Sequence, residues 1–108
     1  MALALMVGVS TPAAAQANHC VNANMHDHYV TVENNCGQNV YVWLTTDNDV
    51  QPGEGLGMSL NAGQSDTTDV GPTATRYRFW ACTNLEAPTD TNTRSKPTYN
   101  STSVQCSR

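Results

Sequence analysis

Beyond the first 17 or so residues, apolar positions alternate with polar ones instead of recurring every three to four residues. Strict alternation puts every second side chain on one face of a strand, so the chain reads as β-structure throughout. Tyr29-Val30-Thr31-Val32-Glu33 shows the pattern clearly. Val40-Tyr41-Val42-Trp43-Leu44 repeats it, with Val40, Val42 and Leu44 on one face and Tyr41 and Trp43 on the other. Around residues 76–82, Tyr77, Phe79 and Ala81 fall opposite Arg76, Arg78 and Trp80. Further strands are predicted at 21–25, 56–60 and 65–70, with a short closing strand at 101–106. Asn, Asp, Gly and Pro punctuate the intervals at 34–39, 46–55, 61–64 and 71–72, as turns require. Residues 84–100 are polar, carry Pro88 and Pro97, and read as a long surface loop. The expected fold is all-β, a small antiparallel sandwich of about six to seven strands.

The stretch from Cys20 to Cys36 organises the rest. It reads as a hairpin whose tip lies near Asp27, His28 and Tyr29, with a disulfide at its base. A turn centred near His28 brings Cys20 and Cys36 opposite each other, within bonding reach. Four cysteines allow three pairings. Cys20–Cys36 and Cys82–Cys106 are favoured, the second pinning the polar tail to the last core strand.

Length and the N-terminus explain why such bonds are needed. Residues 2–9 are an apolar run too short to span a bilayer, and Ala15-Gln16-Ala17 fits a small-residue cleavage site. Residues 1–17 are therefore read as a secretory signal peptide, although no Lys or Arg precedes the run. A lipid anchor at Cys20 is disfavoured because His19 stands where a small residue is needed. A single domain over residues 18–108 remains, small enough to rely on covalent staples. The location expected is secreted or periplasmic.

Charge narrows the partners. The net charge is −4, and Arg76, Arg78, Arg94, Lys96 and Arg108 are the only basic residues besides three histidines. No basic cluster suits nucleic acid or an anionic membrane. A monomer without a cofactor is expected.

Candidate chemistry is sparse. Met25-His26-Asp27-His28, with His19 nearby, is the densest group of metal-ligand types, but a polar turn has the same composition. Asp47-Asn48-Asp49 hints at calcium, yet the sixth and twelfth loop positions are Pro52 and Met58 where Gly and Glu are needed. No metal site is assigned. No nucleophile motif marks a catalytic triad, so no enzyme is expected. Tyr41, Trp43 and Trp80, if exposed, would form an aromatic platform for a sugar or a partner protein, with Arg76 and Arg78 adding hydrogen bonds. If covered, they merely pack under a loop.

The spacing of Cys20 and Cys36, the run Asn35-Cys36-Gly37-Gln38-Asn39-Val40-Tyr41-Val42, Gly63-Gln64, and Arg76-Tyr77 with Ala81-Cys82 together resemble the tendamistat-type proteinaceous α-amylase inhibitors of bacteria. The resemblance spans about residues 20–82. It implies a secreted six-stranded β-sandwich with two disulfides and supports Cys20–Cys36. That family's third cysteine falls near Gly57, where this chain has none. Its inhibitory Trp-Arg-Tyr maps onto Asp27, His28 and Tyr29, so only the tyrosine is kept. The order strand, Asn34-Asn35-Cys36, strand, then Leu60-Asn61-Ala62-Gly63-Gln64-Ser65 has a looser similarity, over about residues 29–83, to thaumatin-like sandwiches, which implies a surface- or glucan-binding role.

Three readings follow, the third being a small structural or effector protein without a pocket. In the first, an inhibitor meets a target glycosidase through Asp27, His28 and Tyr29, with Arg76, Tyr77 and Trp80 alongside. In the second, a carbohydrate- or cell-surface-binding module meets a polysaccharide through Tyr41, Trp43 and Trp80.

Overall fold

The structure is a computed structural model that describes residues 17–83 and 86–108. The signal-peptide assignment therefore lies almost wholly outside the described residues. The described residues form eight strands: β1 Val21–His26, β2 Tyr29–Asn34, β3 Val40–Thr46, β4 Leu56–Leu60, β5 Ser65–Asp69, β6 Tyr77–Thr83, β7 Ala87–Asp90 and β8 Val104–Ser107. One 3₁₀ turn, Asn18–Cys20, precedes them.

The strands form two three-stranded antiparallel sheets, ordered β1-β2-β5 and β4-β3-β6, and a two-stranded ribbon, β7-β8. Register follows the alternation of the sequence. In the first sheet Val32 faces Ala23 and Asp66, while Val30 faces Met25 and Thr68. In the second, Val42 faces Met58 and Ala81. One face of each sheet is apolar, and the two close on a shared core of Val21, Val30, Val32, Val42, Leu44 and Leu60, among others. Burial of these branched side chains on both inner faces is what holds the sandwich shut.

Both expected disulfides are present. Cys20 and Cys36 have Cα atoms 5.0 Å apart, and Cys82 and Cys106 have theirs 5.7 Å apart. The hairpin register places Val21 opposite Asn34 and His26 opposite Tyr29, so the turn centres between Asp27 and His28. That is half a residue earlier than a turn on His28. The short 3₁₀ turn carries Cys20 across this offset.

Three features depart from the sequence reading. First, the stretch from residue 84 to 100 is not wholly loop: Ala87–Asp90 is a strand paired with Val104–Ser107. Second, the ribbon packs on β3 and β6, which buries the outer face of the second sheet. Trp43 and Trp80 join Val104 there in a second apolar cluster. Third, Ala17, assigned to the leader, is buried in the main core, and its backbone N–H donates to Ala81 O at 3.0 Å. Asn18 follows with a two-way clamp on β6: its Nδ2 donates to Phe79 O, and its Oδ1 accepts from Ala81 N–H.

Candidate functional site

The first hairpin is closed by a two-residue loop, Asp27 and His28. Asp27 adopts φ 59°, the sign that a type II′ hairpin turn needs at its first loop position. An Asp tolerates this left-handed backbone better than most residues with a side chain. The tip is tied to the neighbouring strand end through His28. His28 O accepts from Val70 N–H at 2.8 Å, and His28 Nδ1 lies 2.9 Å from Asp69 Oδ1 at the end of the neighbouring strand.

The Asp69 hydrogen bond raises the His28 pKa above its ordinary 6.5, aided by the negative charges of Asp69 and Asp27. The same bond lowers the pKa of Asp69, and the Gly71 N–H adds to the effect. The imidazolium form is thus favoured at the tip. Tyr29 stands beside it, its ring centroid 4.4 Å from that of His28, and is among the few large hydrophobic residues left exposed. His26 pairs with Tyr29 across the hairpin, their ring centroids 6.3 Å apart, and its Nε2 lies 3.3 Å from Thr31 Oγ1. Among the described residues no group of three or more His, Cys, Asp or Glu is placed to hold a metal ion.

The strand ends around this tip gather two loops. Asp47, at the exit of β3, accepts from Thr75 N–H and Thr75 Oγ1 through its two oxygens, and Oδ1 also accepts from Arg76 N–H. These bonds, the Thr75 hydroxyl first, pull the Asp47 pKa down to about 2 and bind the 47–55 loop to the 70–76 loop. Beside them lies an open groove of about 580 Å³, lined by Met25, Asp27, Thr75, Arg76, Tyr77 and Tyr99 among others. The structure therefore brings Asp27, Arg76 and Tyr77 to one surface, with His28 and Tyr29 next to it in the chain. Tyr99 completes that surface. The sequence does not mark it, because it sits in the polar stretch 84–100 that reads as a long surface loop.

Trp80 does not join this set. It is 6% exposed, Trp43 is 7% exposed, and both lie under the C-terminal ribbon. Trp43 Nε1 donates to Pro97 O at 2.8 Å. The Arg78 guanidinium stacks on the Trp80 ring at 4.8 Å and donates to Tyr99 O and Ser101 O. Lys96 lies over Trp43 and the half-buried Tyr41 at 5.2 and 5.9 Å. An exposed platform of Tyr41, Trp43 and Trp80 is therefore not formed. The aromatic residues hold the tail down instead.

Compared with known protein families, curated proteins and solved structures, the chain gives no match in any of the three.

Proposed function

We propose that this chain is a secreted binding protein of the tendamistat type, which inhibits an extracellular glycosidase through the tip of its first hairpin. One observation carries the reading: the first hairpin is fixed at its base by Cys20–Cys36 and at its turn by His28–Asp69. A tip ordered before contact loses little conformational freedom on binding, which favours affinity. Two three-stranded sheets stapled through the first hairpin are also what the resemblance implies.

The chemistry of the tip differs from the Trp-Arg-Tyr of that family. Its cationic member is matched here by His28, whose pKa is raised by Asp69; in the protonated form its Nε2–H can donate to a carboxylate of the target. Tyr29 supplies the exposed ring. Asp27 would be repelled by an acidic cleft, so it sits better at the rim than at the centre of contact. Glycosidase clefts are lined by paired carboxylates, to which a His28 cation is complementary.

The test is an inhibition assay against secreted α-amylases, with binding followed by calorimetry. His28→Ala and Tyr29→Ala should each weaken binding at least tenfold, and Trp43→Phe should leave it unchanged. Equal binding by the wild type and both tip variants would overturn the assignment.

A further inference from the structure

We propose that the groove beside the tip, formed by Asp27, Arg76, Tyr77 and Tyr99, binds a short neutral oligosaccharide. This goes beyond inhibition of an enzyme, since it assigns the protein a ligand of its own. The groove's volume of about 580 Å³ falls in the range of ligand-binding clefts. Its floor is amphipathic. Met25 and Tyr77 pack against the main core, and Tyr77 Oη is occupied, donating to Ala23 O at 2.8 Å. Tyr99 is fixed through its backbone, its N–H donating to Asp49 O and its carbonyl accepting from Arg78. Thr75 and Arg76 are likewise held by Asp47.

The two charged residues on the groove make no direct side-chain bond among the described residues, although the Asp27 charge acts on His28. Both are exposed, and no hydrogen bond or ion pair among the described residues engages the side chain of Asp27 or of Arg76. A guanidinium offers donors only and a carboxylate acceptors only. Together they suit a ligand whose groups both accept and donate, which is what a sugar hydroxyl does. Their charges cancel, so the groove does not favour a strongly charged ligand. Tyrosine rings suit the apolar face of a pyranose, while the hydroxyls at its edge reach Arg76 and Asp27.

The experiment is an amide-shift titration of the full chain with maltotriose, cellotriose and triacetylchitotriose, with trigalacturonate as the charged comparison. At least one neutral trisaccharide should shift the amides of Asp27, Thr75, Arg76 and Tyr99. Arg76→Ala should weaken that binding at least tenfold, and because its exposed side chain makes no hydrogen bond or ion pair among the described residues the fold should persist. Tyr99→Ala should weaken it similarly, with unchanged Trp43 and Trp80 emission as the check on folding. The proposal fails if no neutral sugar moves these amides, if the shifts fall elsewhere, or if trigalacturonate binds more tightly than every neutral probe. No enzyme is present, so this outcome is independent of the inhibition assay.

Discussion

Single residues set the local geometry, and Asn34 is the clearest case. It is fully buried, and its side chain makes four hydrogen bonds. Nδ2 donates to Gln38 O, Leu60 O and Asn61 O, while Oδ1 accepts from Cys36 N–H. These bonds hold the Cys36 turn against the 61–64 turn between sheets. The sequence shows only an asparagine in a turn-rich run, because nothing in it reports three carbonyls converging from distant segments. Asn34→Asp keeps the shape but turns a carboxylate oxygen toward those carbonyls. Denaturant unfolding at neutral pH should show a loss of about 3 kcal/mol or more, the scale of an uncompensated buried charge. Gly57 is a second case. A Cβ there would run into the Tyr41 ring, which crosses the strand above it. Gly57→Ala should cost roughly 1–3 kcal/mol by overpacking, and the companion change Tyr41→Ala should recover part of it.

At the scale of elements, the strands of the two main sheets were legible, and their faces were too. Alternation placed Val40, Val42 and Leu44 inside, and Tyr41 and Trp43 outside, as found. What alternation does not report is whether an outward face is then covered. The tail that covers it is polar, and Pro88 within it argues against a central strand, yet Pro is compatible with the margin of a two-stranded ribbon. Its attachment comes from long-range contacts: Cys82–Cys106, Trp43 to Pro97, and Arg78 to Tyr99 and Ser101. Replacing Cys82 and Cys106 by Ala opens a loop of sequence separation 24, a loss of about 3 kcal/mol on the chain-entropy account. Tryptophan emission should then shift to the red at lower denaturant than in the wild type, as Trp43 and Trp80 meet water. The Cys20–Cys36 sheet should keep its amide protection through that first step, since its core lies on the far face of β3 and β6. Loss of protection in both sheets together would show the ribbon and sandwich to be one cooperative unit.

For the whole molecule, the charged groups define how stability varies with pH, and they act at opposite limits. His28 has a raised pKa in the fold, so its contribution is complete below the unfolded value of 6.5 and is lost as pH rises through the higher folded value. Three carboxylates act the other way. Asp69 is lowered chiefly by His28, Asp47 is lowered to about 2 by Thr75, and Asp90 is lowered chiefly by the Ser101 hydroxyl. Their contributions are present above the ordinary value of 3.8 and are lost as pH falls through the depressed ones. Stability should therefore be greatest between about pH 4 and 6.5. The acid arm has a spatial order as well. Asp90 is buried in the tail, where its carboxylate also accepts from Asn92 and Thr93 N–H, so its protonation loosens the ribbon. Asp47 ties its loop to Thr75, beside the groove, so its protonation loosens that end. A pH series of denaturant melts tests the shape. Asp69→Asn should flatten the neutral arm and bring the His28 midpoint, read by imidazole shifts, back toward 6.5. Asp47→Asn should flatten part of the acid arm and leave the His28 midpoint unmoved. A wild-type curve that climbs steadily from pH 6 to 8 would remove the His28–Asp69 pair as a contributor to the fold, and with it one of the two anchors on which a preordered tip depends.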